Sequence, residues 1–533
     1  ARKLCIIVGL LAKKTHFNPF VEREIIYSDI IQAFRKNTRE DFRRKEFIVR
    51  PTIRFLGDEL IEKIISEGKH IMCKLGIEIH NDTMLSLLAD HGATIDKNTN
   101  RVFFKQSIID KALASSPHSF KLYDVLGNQA VDLSGFNVNY APGSAAIYIL
   151  DGKTNNIRRP LANDYTQYVK LMCKMNNIAS QSTAMVPADV HEKISDSYRL
   201  YLSLLFCEKP VVTGAFTIEA FEIMKELQIA VRGSKENLAA KPVTIFSCCP
   251  TSPLKWSDVT SQNLIDCAKY SIPVEYISMP LSGFMSPVTL VGTLIQHTAE
   301  TLSGLVMSQI VNPGTPVLYG GSPAFFDVRY ETTPMGSIST MMIDCAYNEI
   351  GKYLGLPTQA YIGLSDAKHL DAQAGLESSM GATLAVLAGI NNISGPGMLD
   401  FESCFSLEKL VVDNEICGMT LQMIKGIEPK EDFPSQPIFE ELLKEKHLLI
   451  SDHTLKYLKG EEYYPGKVLS RANRSRWEEE GNTTIGQRAA NEIDRMINQW
   501  RPTLLGDDIK KELTQLMEKE ARRYGMSKLP QIN

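Results

Sequence analysis

No two cysteines in this chain are spaced as Cys-x-x-Cys, and the ten cysteines are scattered through 533 residues. That spacing excludes a zinc ribbon and a disulfide-dense scaffold, and leaves reduced thiols in a cytoplasmic setting as the simplest reading. Charge of one sign is missing too. Against 58 Lys and Arg stand 62 Asp and Glu, a net −4, so the chain lacks the basic footprint of a nucleic-acid binder. Long apolar runs are absent. The one at Cys5 to Ala12 (CIIVGLLA) falls well below the ~20 residues a membrane span needs. Lys13-Lys14 follow it without a small-x-small cleavage site, so it reads as a helical leader rather than a signal or a membrane anchor. Gly-x-Gly-x-x-Gly, Gly-x4-Gly-Lys-Ser/Thr, His-Glu-x-x-His and Gly-x-Ser-x-Gly do not occur. Rossmann dehydrogenases, P-loop NTPases, zinc peptidases and serine hydrolases therefore have no support. The ten histidines form no cluster with metal-ligand spacing, so no metal site is expected.

What is present is alternation. Hydrophobic residues make up 44% and charged residues 23%, the balance of a folded globular enzyme. After a leader over 1–50, residues 51–135 read as mainly helical, with apolar positions at helical spacing in GDELIEKIISEGKHIMCKLG. From 136 to 425, short β-branched runs alternate with long helical patterns. The runs lie at 136–150, 178–186, 211–216, 242–248, 273–279, 316–320, 358–364 and 391–395. Strands alternating with helices imply parallel pairing through crossovers, and eight such units make a (β/α)8 TIM barrel. Residues 426–533, opened by the proline-punctuated EPKEDFPSQP, read as a helical C-terminal extension.

Several predicted strands run straight into loops rich in Gly, Ser, Pro and aromatics: CPTSPL (249–254), SMPLSGFMSP (278–287), YGGSPAFFD (319–327) and GLSDAK (363–368). Barrel enzymes place their active sites at such C-terminal strand ends. These loops carry a resemblance. CPTSPL, Ser286-Pro287 with GTLIQHTAETLSG (292–304), Phe326-Asp327, SDAK (365–368), Asp371 with QAG (373–375), GML (397–399) and FSLEKLVVDNEI (405–416) together resemble the trimethylamine:corrinoid methyltransferases. The resemblance runs from about residue 50 into the C-terminal region. It implies a (β/α)8 barrel, a methylated amine as donor, and as acceptor a corrinoid (cobalamin) carried by a partner protein and not bound permanently. It also implies a homo-oligomer.

One departure bears on the substrate. In the trimethylamine enzymes of the family, pyrrolysine precedes the Ser-Asp-Ala-Lys stretch; here Leu364 does. Members without pyrrolysine resemble glycine betaine:corrinoid methyltransferase. The resemblance therefore implies transfer of a methyl group from a quaternary amine, glycine betaine first, to Co(I). Carnitine, proline betaine and trimethylamine are the alternatives, and a non-catalytic betaine-binding barrel is the alternative of another class. A quaternary ammonium already carries its charge and leaves as a neutral amine, so no proton has to be delivered to it.

Such a cation is bound by aromatic faces. The candidates at strand mouths are Tyr140, Phe216, Phe284, Phe326 and Tyr361, with Tyr140 and Phe326 preferred; core packing is the competing role for each. Strand alternation turns Tyr361 away from the side of Leu364. His297 and Glu300, one helical turn apart, are expected either to line the cavity or to hold a loop. Asp366 is expected to face the cation or to fix its own loop with Lys368. Arg329, His297 or loop N–H groups are candidate donors to a betaine carboxylate. Cys248-Cys249 reads as a pair of small buried hydrophobes. The candidate substrate-binding residues are thus Tyr140, His297, Glu300, Phe326, Leu364 and Asp366, with no catalytic side chain singled out.

Overall fold

The computed structural model describes residues 49–530; the expected leader lies almost wholly outside the described residues. The chain divides into two compact units, one holding residues 49–51 and 425–462, the other 52–424 and 463–530. The stretch expected as a single C-terminal extension from residue 426 is therefore shared between the two. The smaller unit contains helices Gln436–Glu445 and Asp452–Glu461. Lys430 pairs with Glu428 (2.6 Å) and Glu461 (3.7 Å), and Lys456 with Glu431.

The larger unit is α/β. Its centre holds eight short strands: β1 Asn139–Ala141, β2 Gln181–Ser182, β3 Val211–Thr213, β4 Thr244–Cys248, β5 Val274–Ser278, β6 Val317–Gly321, β7 Gln359–Ala360 and β8 Asn392–Ser394. Strands β2 to β6 pair in sequence order, all parallel. β7 pairs with β8, and β8 with β1, again parallel. Between β6 and β7, Tyr319 bridges Thr358 and its N–H donates to Pro357 O at 2.9 Å. Between β1 and β2, the N–H groups of Ala179 and Ser180 donate to Tyr140 O at 3.0 and 3.2 Å. Parallel strands need long crossovers, and each connection from β2 onward contains a helix that buries one face.

The crossover helices start where the sequence supplies caps. Thr217, Ser257, Thr289, Ser337 and Asp371 each accept from a backbone N–H of the following turn. Helix Leu290–Val311, 22 residues long, is buried over most of its circumference and packs on helix Asp58–Lys74. That closeness requires Gly68, where a Cβ would stand 2.9 Å from the Thr298 methyl carbon.

The 51–135 stretch is not only helical. Besides helices Asp58–Lys74, Asp82–Asp90 and Gln106–Ser115 it carries five short strands. Ile77–Ile79 pairs in parallel with Lys255–Trp256, more than 170 residues further on. Three-residue strands stabilised by such distant partners leave almost no periodicity to read.

The inside of the strand set is partly polar. The carboxyl of Glu275, on β5, accepts from Ser247 Oγ (2.7 Å) and Asn392 Nδ2 (3.4 Å), and Gln359 Oε1 accepts from Gly321 N (3.2 Å). A Cβ at Gly320 would stand 2.6 Å from Gln359 Oε1 and 2.9 Å from Tyr276 O, so only glycine fits there. Burial pushes Glu275 up to about 7.

Candidate functional site

A cavity of about 460 Å³ opens where the central strands end. Its walls come from successive strand-end segments: Ser144 and Ala145 after β1, Thr183 after β2, Gly214 to Phe216 after β3, Ser247 to Cys249 at β4, Ile277 and Met279 at β5, Ser322 after β6, Tyr361 after β7. Glu402 comes from the loop beyond β8. A site assembled from one end of a parallel sheet follows from topology, because every strand delivers its loop to the same side.

Three side chains give this cavity its chemistry. Tyr361 is in the wall, buried, with its hydroxyl 2.9 Å from Ser144 Oγ. Burial and the neighbouring carboxylates Glu275 and Glu402 raise its ionisation well above the ordinary tyrosine value. It is therefore a neutral phenol offering a ring face. Arg199 is fully buried and already spoken for. It pairs with Asp196 at 2.6 Å, donates to Thr183 O and Ser195 O, and lies 5.3 Å from the centroid of the Phe216 ring. Phe216 itself stands at the mouth, 60% exposed.

Glu402 differs from both. Its Oε1 is buried without a hydrogen-bond partner. Burial, and then Asp366, push its carboxyl up to about 8. The backbone that delivers it is strained: Asp400, Phe401 and Glu402 have φ of 49, 55 and 65° in succession. Left-handed backbone at non-glycine residues costs roughly 1 kcal/mol each. Lys368 holds this turn. Its ammonium lies 3.3 Å from Asp400 Oδ1 and 3.9 Å from the Phe401 ring centroid. A second acceptor without a partner, Asn263 Oδ1, also faces the cavity, while Asn263 Nδ2 donates to Ala215 O. The cavity thus offers acceptors and a ring, and its lone guanidinium is neutralised.

None of the six residues singled out from the sequence lines this cavity. Tyr140 is buried in β1 with its hydroxyl 2.7 Å from Thr420 Oγ1, a core contact. Phe326 stacks on Phe284, centroids 4.9 Å apart, outside the cavity. His297 is fully buried behind β6. Its ring stacks on Tyr347 at 4.3 Å, and Nε2 is 3.0 Å from Gly320 O. Burial drives it down to about 3, so the imidazole is neutral. Gly321 is glycine because a Cβ would stand 2.3 Å from that Nε2.

Glu300 accepts from Ser252 Oγ (2.8 Å), Leu254 N (2.9 Å), Ser278 Oγ (2.6 Å) and Gln296 Nε2 (3.0 Å). It ties the CPTSPL loop to β5 and helix Leu290–Val311. Asp366 accepts from Met335 N and Gly336 N at 3.0 and 2.9 Å, and burial pushes it up to about 6. Leu364 is buried in the apolar core and presents no polar group to the cavity. Arg329 is exposed and locked to Asp327 at 2.6 Å.

Phe216, Tyr361 and the Cys248-Cys249 pair, all noted in the sequence but not among those six, do line the cavity. Tyr361 does so because β7 ends at Ala360, so strand alternation no longer sets its direction. Cys248 and Cys249 lie in the floor as small groups, and burial raises the Cys249 thiol to about 12, so it is protonated. Glu402 carries no sequence signal: DFES contains neither Gly nor Asn to mark its left-handed turn.

The trimethylamine methyltransferase (MTTB) family model matches residues 32–525. The chain belongs to that family. Membership makes it a methyltransferase. It is 27% identical to trimethylamine methyltransferase MttB of Desulfitobacterium hafniense, over 89% of this chain and 95% of that protein. It is 29% identical to a glycine betaine methyltransferase of the same species, over 89% and 98%. Against trimethylamine methyltransferase MttB of Methanosarcina thermophila the identity is 32%, over 71% and 79%. Relatives named for two different donors stand at similar distances, so identity alone does not select the substrate. Among the described residues, no group of three or more His, Cys, Asp or Glu has the arrangement of a metal site, and no helix is long and apolar enough to cross a membrane.

Proposed function

We propose that this enzyme moves a methyl group from a quaternary amine, with glycine betaine first among the candidates, to Co(I) of a corrinoid held by a separate protein. In this reading β1 to β8 close into a (β/α)8 barrel, with the two hydrogen-bonded junctions β6–β7 and β1–β2 completing the ring, and the cavity is its mouth. The enzyme works in the cytoplasm as a homo-oligomer.

The observation that carries the reading is the cavity's composition. A permanently cationic donor needs a ring face and a negative charge, and Tyr361 and Glu402 offer both at one wall. Arg199, engaged by Asp196, does not repel it. Enclosure between the strand ends, away from bulk water, strengthens these contacts. The donor needs no proton, because the amine leaves neutral; accordingly, the chain requires no general acid. The position before Ser365 is a buried leucine, which brings no electrophile. The chain's own task is to bind the cation, aim one methyl outward and exclude water. The acceptor supplies the nucleophile. Phe216 and Met279, exposed at the rim, offer apolar surface for it to approach.

In this account Glu300 and Asp366 act as loop anchors, Leu364 as an inert wall behind the site, and Tyr140, His297 and Phe326 as packing. A second reading rests on Asn263 Oδ1, the partnerless acceptor in the wall. It would accept the single N–H of protonated trimethylamine, which no quaternary amine possesses.

The test is to supply the enzyme with its corrinoid protein reduced to Co(I), add each amine in turn, and follow the absorbance change of cobalt methylation. Methylation from glycine betaine, carnitine or proline betaine is expected. A response to trimethylamine alone would transfer the case to the second reading, and none from any amine would reject both.

A further inference from the structure

The carboxyl of Glu402 poses a question that cation binding alone does not answer. It lines the cavity, its Oε1 is buried and has no donor, and the cavity's guanidinium is committed to Asp196. A carboxylate with a buried, partnerless oxygen and no counter-ion is unfavourable there. Yet the fold holds it there at the end of three successive left-handed residues, with Lys368 bracing the turn through Asp400 and Phe401. A backbone constrained in this way points to a role for the group it presents.

We propose that Glu402 is a proton-for-cation exchange group: it holds a proton while the cavity is empty at neutral pH and gives it to solvent when a quaternary ammonium ion enters. The proposal rests on the reading of the cavity as a methylated-amine site. The exchange balances. The carboxyl O–H bond breaks, its proton leaves to buffer, and the ligand's fixed positive charge replaces it beside the carboxylate. With tetramethylammonium no net charge is then buried in either state, whereas glycine betaine also brings a carboxylate, which has to stay at the open mouth for the same balance to hold. Such a site discriminates against neutral amines, which cannot repay the lost proton.

The groups facing Glu402 are consistent with this assignment. From the segment after β7, Asp366 adds negative charge and Tyr361 is a neutral phenol. From helix Ile338–Tyr353, Asp344 is buried and, like Glu402, held well above the ordinary carboxylate range, chiefly by burial and then by Glu402 itself. Lys368 is spent on Asp366 O and Asp400. No facing group in this set neutralises the carboxylate.

Calorimetric titration of the whole enzyme with glycine betaine and with tetramethylammonium, at pH 6.5 in buffers of different ionisation enthalpy, counts the protons released. With an empty-cavity value of about 8, nearly one proton per cation is expected. Affinity is expected to rise about tenfold from pH 6 to pH 7 and to level off above 8. Glu402→Gln, close to isosteric, is expected to release none and to lose the pH dependence. The proton count on the unaltered enzyme needs no variant to fold. Cation binding without proton release, or equal release by wild type and Glu402→Gln, overturns the exchange and leaves the methyl-donor reading standing. Failure of every cation to bind at millimolar concentration overturns both.

Discussion

Tyr361 sits against the strand ends with its hydroxyl tethered to Ser144, so its ring is the fixed apolar face of the cavity. Removing that ring while keeping bulk isolates its contribution. Tyr361→Leu is expected to lose about 0.5–2 kcal/mol of cation binding, roughly 2- to 30-fold in KM for the amine. Tyr361→Phe keeps the ring and is expected to stay near wild type; steady-state kinetics of methyl transfer distinguish the two. Residues of this kind resist sequence reading. Alternation turns Tyr361 the wrong way, because a two-residue strand does not obey it. Glu402 leaves no trace in the sequence because three non-glycine residues adopt a turn that glycine or asparagine normally announces. Tyr140 and Phe326 were legible as aromatics at strand mouths, but not as rings that spend themselves on Thr420 and Phe284.

Among elements, the loop after β4 shows how a buried carboxylate does structural work at a distance from the site. Glu300 accepts from Ser252, Leu254, Ser278 and Gln296, joining two strand-end loops to one helix. Deleting the acceptor leaves several buried donors unpaired, each worth about 1–3 kcal/mol. Glu300→Ala is therefore expected to lose about 3 kcal/mol or more in denaturant unfolding, and to make the segment around 249–256 sensitive to protease. An unchanged midpoint would contradict this anchoring role. The pairing of His297 with Glu300 was visible as one helical turn; which of the two would hold a loop was not, since that depends on Ser252 and Ser278 arriving from other elements. Element positions were the most legible feature. Helix Ile218–Arg232 carries its own stop at Gly233, φ +80°, and each of the eight central strands falls, to within a residue, inside an expected apolar or β-branched run. The short strands before residue 135 are hidden because three or four residues carry almost no periodicity, and one of them, Ile77–Ile79, also pairs with Lys255–Trp256 far along the chain.

The whole molecule carries an electrostatic consequence. Glu275, at the heart of the strand set, holds its proton up to about 7, and Glu402 and Asp366 up to about 8 and 6. Each folded value lies above the ordinary carboxylate value near 4. The folded state therefore binds more protons than the unfolded one between those limits. Stability is full below about 4 on this account and falls as pH rises through 6 to 8. For Glu275 the loss is on the order of 3 kcal/mol. Glu275→Gln is expected to flatten the fall in melting temperature between pH 5 and pH 8; an identical fall in wild type and variant would show that Glu275 does not cause it. At this scale the α/β class and the family were readable from the sequence, because alternation and loop motifs are local patterns. The cavity's wall was legible only in part: Phe216, Tyr361 and three of the strand-end loops are named by the sequence, whereas Glu402 and Asn263 join them only through the fold.

The claim on which the account turns is that a permanently charged amine is the methyl donor. Its most direct test is the rate of cobalt methylation with glycine betaine and with trimethylamine, each at the same concentration, by the same enzyme and corrinoid protein. The account predicts methylation from glycine betaine and little or none from trimethylamine. Methylation from trimethylamine with glycine betaine inert would contradict it.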